Sequence, residues 1–439
     1  MVFKLRGNQI VLTLMNKNRP VVRYAYDLGT HSAVKVLETP NPEYAPPIVL
    51  DGYGRITRAT IDRWWRSRSI PASRQHFKRL MSALDLSSAL ELAERSYGLS
   101  LSDRYWVCPD GDRKTWDELN FFDNDFTDDL GVITLGRTSS GAPDLFSPNS
   151  TLGGNLLKKW TISEGKRTLV KAGSGLFNQE PFNELAATAL YRRVLDTGDY
   201  VPYSLLEQDR RTYSSCPNLL EDDEELITAH DLIVNNHLSM NPQREADELA
   251  GLFESLGVPD ARLAIDKMLT TDLLIANEDR HFRNFGIIRD VETLEYKRFA
   301  PLFDSGHSLW CYQELLEVPA DYSYVTKPFG YNGTPSDKVL DLVSDLSWLD
   351  LDRLKDYPDE MAEILAKNQN IPDRRIERVR EGVASAIARV AARRASRAPS
   401  PAQFAVVPSE AELSEAVAAR EGGGIARSST VRREDPGRE

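Results

Sequence analysis

The residues best suited to chemistry lie at positions 277–286, NEDRHFRNFG, after an apolar helical run and before a strand-like segment. Asp279 and Asn284 are spaced so that a short loop can aim the carboxylate at an incoming hydroxyl and return the amide oxygen to a cation. Further along, Asp304 stands in PLFDSG, after two strand-like runs joined by a polar turn. A hairpin there would bring Asp304 beside Asn284, and a carboxylate with an amide oxygen is a hard donor set suited to Mg²⁺. Gly306 is expected to leave room for a backbone bend just after Asp304. Taken alone, an Asp-x-x-x-x-Asn run ordinarily marks a turn or a cap. His281 within it ordinarily reads as a structural hydrogen-bonding histidine.

Three upstream features change that reading. TLGGNLLKKW places Gly153 and Gly154 where the backbone can approach phosphates closely. Lys171 sits between Val170 and Ala172 inside the strand-like RTLVKAG, and a buried lysine there needs anionic partners. Glu184 follows on a helix that opens at Pro181, about 200° around the helix from Phe182 and so off the apolar stripe. Each has a plain alternative: a Gly-Gly turn, an exposed edge-strand lysine, a solvated helix charge. In this order, a glycine loop, a strand lysine, a helix glutamate, an Asp/Asn loop and a final aspartate suggest a phosphoryl transferase that uses ATP and Mg²⁺.

The surrounding elements must hold these groups in place. Short alternating runs before residue 35 predict a small antiparallel sheet, and residues 57–98 predict helices interrupted at Pro71. Residues 101–126 carry Tyr105, Trp106, Trp116, Phe121, Phe122 and Phe126, a set expected to be buried at a domain junction. Residues 137–155 are dense in Ser, Gly, Pro and Asn and read as a linker or a working loop. Strands are expected near Trp160 and Lys171, followed by the Pro181 helix with a stripe of Phe182, Leu185, Ala186, Ala189 and Leu190. Residues 245–277 predict two helices broken at Gly257-Val258-Pro259, residues 285–304 two strands, and residues 337–391 more helix. From Ser396 to the end the composition predicts disorder.

The combination of NEDRHFRNFG, PLFDSG, the strand lysine and the pair Asn183-Glu184 resembles the HipA-like serine/threonine kinases of bacteria, which share a broader kinase fold with the phosphatidylinositol kinases. The likeness covers about residues 147–392, and GNLLK at 154–158 is similar to that family's G-x-x-x-K phosphate loop. The resemblance implies an α+β, bilobal kinase-like fold. A small β-rich lobe at about 147–215 and a mainly helical lobe at about 216–395 would make a kinase domain of residues 131–395. An α+β accessory domain at 1–130 would precede it, and a tail would follow at 396–439. By the same likeness Asp279 is the general base or hydroxyl-orienting carboxylate, Asn284 and Asp304 hold Mg²⁺, and Glu184 orients Lys171. Gly153, Gly154, Lys158 and Lys171 would contact ATP, while Arg280 and His281 would brace the loop. Ser147, Ser150 and Thr151 are the implied positions for an inactivating autophosphorylation. The sequence departs from common kinases in lacking G-x-G-x-x-G-x-V and H-R-D, and its metal motif reads D-S-G.

Composition limits the alternatives. The chain has 439 residues, 41% hydrophobic and 27% charged, which excludes collagenous or wholly disordered character, and its net charge of −12 argues against broad electrostatic binding to nucleic acid while leaving a local basic patch open. The three cysteines are far apart and suggest neither a disulfide framework nor a zinc site, and a reduced, cytoplasmic protein is expected. No apolar run is long enough to span a bilayer, and the start is not read as a signal peptide. The expected partners are a protein substrate and an antitoxin-type protein, the latter implied by the toxin role common among HipA-like kinases. The segment RWWRSRSIPASRQHFKRL interleaves arginines with Trp64, Trp65 and Phe77. Its first reading is an amphipathic helix with core tryptophans and solvated arginines, and its second a nucleic-acid surface. Two other functions stay open: phosphorylation of a small molecule or lipid, and a nucleotide-binding regulatory pseudoenzyme.

Overall fold

Alternation of apolar and polar residues near the start buries Leu12 and Leu14 on one face of β1 (Gln9–Asn16), as period-two patterning requires. β1 pairs antiparallel with β2 (Arg19–Asp27), and β2 with β3 (Ser32–Glu38). Three short helices follow: α1 (Arg58–Ser67), opened by a Thr57–Thr60 capping box, α2 (Phe77–Ala83) and α3 (Ala89–Arg95). β4 (Tyr105–Pro109) then joins the free edge of β1, giving the order β3-β2-β1-β4. The coordinates are a computed structural model and describe residues 7–74, 77–137, 142–236, 238–313 and 318–397.

Trp64 and Trp65 are 1% and 2% exposed and belong to the core beneath this sheet, with the Trp65 Nε1–H donating to Tyr24 Oη at 3.0 Å. The expected solvation of the arginines around them holds only for Arg66, Lys78 and Arg79, which are exposed. Arg63 donates to the carbonyls of Ile48 and Leu50, Arg68 pairs with Asp103, and Arg74 is buried. Arg63 thereby satisfies backbone carbonyls of the turn before α1, that of Leu50 jointly with Asn235.

After α4 (Trp116–Leu119) and α5 (Asp129–Thr134), a second sheet is built from β5 (Lys158–Ser163), β6 (Lys166–Ala172), β7 (Ser204–Gln208) and β8 (Arg211–Pro217) in the order β5-β6-β8-β7. The helix between β6 and β7, α6 (Glu180–Val194), is buried around most of its circumference, not along one stripe. It lies between β8 and a later helix at Tyr357–Ala366, so Asn183 and Glu184 are covered as fully as Phe182 and Leu190. Most of the aromatic stretch forms a cluster around buried Trp106, Trp116 and Phe121, with half-buried Phe122, Phe126, Phe146 and Trp160 of β5 at its margin, while Tyr105 packs in the core beneath the first sheet.

The loop at 142–155 is no slack linker. Ser147, Asn149, Ser150 and Thr151 are all buried, and Asn149 exchanges two hydrogen bonds with the backbone of Trp160 on edge strand β5. Their hydroxyls are engaged too: Ser150 donates to the Leu145 carbonyl and Thr151 to that of Leu99, while Ser147 accepts from Asn149.

The larger half contains β9 (Glu224–Thr228), α7 (Ala229–Ile233), α8 (Pro242–Ser255), α9 (Ala261–Leu274), β10 (Gly286–Asp290) and β11 (Tyr296–Phe299), the strands ordered β11-β10-β9. A two-residue pair, β12 (Val325–Thr326) with β13 (Thr334–Pro335), precedes α10 (Val339–Leu342), α11 (Tyr357–Ala366) and α12 (Asp373–Arg397). The architecture is the expected α+β, two-lobed one with a further α+β layer ahead of it. By its contacts the chain divides into Met1–Ala392 and Arg393–Glu439, and residues 393–397 of the second unit are helical. Ser396 and Arg397 are therefore helical where disorder was expected, and the rest of the expected tail, 398–439, lies outside the described residues.

Candidate active site

The Asp/Asn loop begins where α9 stops. Ala276 adopts a left-handed backbone (φ 48°), which turns the chain out of the helix. Arg280, fully buried, then fastens the loop: it forks onto Asp272 of α9 at 2.9 and 3.0 Å. The same guanidinium donates to the Asn284 carbonyl at 2.8 Å, to the Phe303 carbonyl and to Ser305 Oγ at 3.0 Å. One side chain thus ties the end of the loop to the residues on either side of Asp304. Burial opposes its charge, but Asp272 outweighs that and raises its pKa above the ordinary value. β10 closes the loop at Gly286, where a Cβ would lie 2.2 Å from the Ile227 carbonyl oxygen. Only glycine permits that approach to β9.

Asp279 faces the cleft with its side chain 23% exposed. Its Oδ1 lies 2.8 Å from Lys327 Nζ and its Oδ2 3.1 Å from His307 Nδ1. Burial works against its charge, but those two hydrogen bonds hold the carboxyl below the usual range. The predicted His281 stands farther off, Nε2 at 3.9 Å from Asp279, and its Nδ1 accepts the Arg283 amide at 3.2 Å. Burial lowers its pKa and so favours the neutral ring. The bracing foreseen for Arg280 and His281 is carried by Arg280; the histidine that touches Asp279 is His307. Asn284 donates Nδ2–H to the Asp279 carbonyl at 3.0 Å, and its Oδ1 has no donor among the described residues.

Across the cleft, Lys171 lies on β6, an interior strand, which removes the exposed edge-strand reading. Its ammonium is 2.8 Å from Glu184 Oε1, 2.7 Å from Asp304 Oδ1 and 2.9 Å from Tyr203 Oη. Burial penalises that ammonium, but Asp304 and Glu184 raise its pKa well above the ordinary value. Asp304, conversely, pays a burial cost that Lys171 and then Lys158 overcome, so its carboxyl is held far below the usual range. Glu184 also accepts the Ser305 amide at 3.0 Å through Oε2, and Asn183 donates to the carbonyls of Gly306 and Ser308, each at 2.8 Å. The Asn-Glu pair on α6 therefore straps down the segment after Asp304. The backbone bend lies at Asp304 itself (φ 58°) and not at Gly306, where an added Cβ would meet Glu180 and Glu184 only at an ordinary contact distance of 3.4 Å.

Strand register supplies a second cation. Lys158 on β5 is the direct antiparallel partner of Lys171, so two lysines stand side by side on one face. Burial, with Lys171 and Arg74 nearby and against the pull of Asp304, brings the Lys158 pKa down to about 8. Gly153 and Gly154 lie close by, with Lys158 Nζ only 2.6 Å from where a Gly154 Cβ would be. Gly153, Gly154, Lys158, Lys171, Asp279, His281, Asn284 and Asp304 line one cleft of about 620 Å³, a size suited to a small organic ligand, while Glu184 and Arg280 stand behind its wall and Ser147 and Ser150 lie outside its lining. Sequence reasoning missed His307, Lys327, Tyr203 and Asp272. His307 had a faint signal, three residues beyond Asp304; the other three reach the site from separate elements and had none.

The donor chemistry fits a hard cation and a polyanion. Asn284 Oδ1 and Asp304 Oδ2 are oxygen donors without hydrogen-bond partners among the described residues, and Mg²⁺ completes such sites with phosphate and water. Among the described residues no cluster of three or more His, Cys, Asp or Glu forms a metal cage of its own.

Lysine and glutamate paired behind a β-sheet lobe, facing an Asp/Asn loop in a helical lobe, define a kinase-type fold. No protein-family model matches the sequence, and no curated protein matches it. Among solved structures, the chain is similar to HipA from the Shewanella oneidensis MR-1 toxin–antitoxin system, in its complex with HipB and operator DNA. The TM-score is 0.51 at 14% identity, covering 88% of this chain and 99% of that one. It also matches the Helicobacter pylori proinflammatory kinase CtkA with a TM-score of 0.41 at 14% identity, over 54% of this chain and 93% of that one. The fold is that of the HipA-like kinases. Among the described residues no helix is long and apolar enough to cross a membrane.

Proposed function

We propose that this chain is an ATP-dependent serine/threonine protein kinase of HipA-like type, with residues 131–395 as the catalytic domain and 1–130 as an accessory domain. The observation that carries this reading is the convergence on one cleft of Lys171, braced by Glu184, with Asp304, Asn284 and Asp279. Phosphoryl transfer needs positioning and charge neutralisation more than covalent help, and that is what these groups offer.

In this reading Lys171 and Lys158 receive the phosphates, which relieves the repulsion between two adjacent ammonium groups. Asn284 and Asp304 hold Mg²⁺, which when bound neutralises phosphate charge. Asp279 accepts a hydrogen bond from the acceptor hydroxyl and aligns its oxygen. A carboxylate held below its ordinary range is a weak base, so Asp279 orients first and takes the proton late. Lys327 and His307 keep it ionised and aimed. An antitoxin-type protein is the proposed partner, because the Shewanella HipA was solved with HipB on operator DNA. A cytoplasmic location fits such a partner.

Labelled ATP with Mg²⁺, followed by mapping of any modified hydroxyl, tests the assignment. Transfer to a serine or threonine that disappears in both Asp279→Ala and Asp304→Ala is the expected result. Undiminished transfer by both folded variants would refute it.

A further inference from the structure

Arg74 belongs to the N-terminal region, yet its guanidinium is spent on the glycine loop of the candidate nucleotide site. Nε–H donates to the Gly154 carbonyl at 2.9 Å, and Nη2 donates to the carbonyl of Gly153 at 2.9 Å and to that of Leu152. The neighbouring Ser73 donates to Asn155 Oδ1 at 2.7 Å. Arg74 is 3% exposed, and no carboxylate pairs with it among the described residues. Burial alone lowers its pKa to about 10, so it remains a cation at neutral pH. An arginine buried merely to glue two regions together would be expected to meet a carboxylate; this one meets three carbonyls of a single turn.

The orientation of those carbonyls has a consequence on the other side of the turn. A trans peptide places each N–H opposite the preceding C=O. With the carbonyls of Leu152, Gly153 and Gly154 turned onto Arg74, the amides of Gly153, Gly154 and Asn155 point away from it. None of these three amides donates to a protein group among the described residues, and all three residues line the cleft. Gly154 has φ +88°, a conformation that lets successive amides converge as an anion-binding nest. Lys158 stands beside it, and Lys171 is the cross-strand neighbour of Lys158.

We infer that Arg74 is a positioning residue for the phosphate loop, so that the affinity of the kinase for nucleoside triphosphate is set in part by its N-terminal region. The guanidinium fork holds the turn with its amides toward the phosphates before nucleotide arrives. The inference rests on the ATP-using kinase reading above and adds to it a residue outside the proposed catalytic domain.

Calorimetric titration of the full chain with ATP–Mg²⁺ and, separately, with adenosine tests it, using Arg74→Lys and Arg74→Met. Adenosine lacks phosphates and reports the rest of the cleft. Both variants are expected to bind ATP about tenfold more weakly, or worse, while adenosine affinity changes less than about twofold. Arg74→Lys keeps the charge and most of the stem but cannot fork onto three carbonyls, so it decides the matter if Arg74→Met fails to fold. Wild-type ATP affinity in Arg74→Lys, or an equal loss for ATP and adenosine, overturns the assignment while leaving the kinase reading intact. Failure of the unaltered chain to bind ATP overturns the kinase reading, and this inference with it.

Discussion

Lys171 reaches across the cleft to Asp304, its ammonium 2.7 Å from Oδ1, while the same ammonium stays 2.8 Å from Glu184. One cation thus compensates two carboxylates, one on α6 and one in the segment after β11. Without that cation the buried Glu184 keeps, among the described residues, only the Ser305 amide as a charge-stabilising partner.

Replacing the lysine should therefore cost stability as well as activity. Lys171→Met is expected to destabilise the fold by about 3–5 kcal/mol, the usual effect of stranding a buried charge. Urea unfolding of the variant measures this. A midpoint equal to that of the parent chain would show that the pair contributes nothing net.

Asp279→Asn should separate chemistry from folding. The amide keeps the shape of the side chain and releases two cations, of which Lys327 is half exposed. Phosphoryl transfer is expected to fall by about 100-fold or more, while the melting temperature changes little at alkaline pH, where the charge on His307 is gone. Single-turnover assays with labelled ATP supply the first number and calorimetry the second.

Arg280 links α9, the loop and the Asp304 segment, so its loss should be felt as unfolding. Arg280→Met strands Asp272, which is 3% exposed, along with the carbonyls of Asn284 and Phe303. A loss of about 3–5 kcal/mol is expected, with Arg280→Lys intermediate because it retains charge but not the fork. Chemical denaturation of both variants ranks them, and equal stability of the two would contradict the fork argument.

The His307–Asp279 pair predicts a pH signature. Burial disfavours the charged imidazole, but the hydrogen bond to Asp279 and the field of Asp304 raise its pKa above the ordinary 6.5. A raised folded-state value means the stabilisation is fully present below pH 6.5 and is lost as pH climbs through the folded value. Asp279 has the opposite sign: its contribution is present above 3.8 and fades only as pH drops through its lowered value. The parent chain should therefore exceed His307→Gln in stability at mildly acid pH, with the gap closing as pH rises above 6.5. Melting curves of both proteins across that window check it, and a gap independent of pH would sink the charged-pair description.

What could be read in the residues was local and ordered along the chain. NEDRHFRNFG announced a loop because Asp, Asn and Gly end an apolar helical period, and Lys171 stood out as a charge inside a strand pattern. The tryptophans at 64 and 65 were legible as core because large apolar side chains at helical spacing must be buried. Side-chain partners were not legible in the same way. The pairing of Lys158 with Lys171 depends on which residues face each other across β5 and β6, and a shift of one residue would have sent one of them to the opposite face. His307 and Lys327 meet at Asp279, and Arg74 meets the glycine loop, only because separate elements fold against one another. Spacing within one element is set by backbone geometry and shows in the sequence. Contacts between elements are set by how their buried faces dock, and only the folded chain settles those.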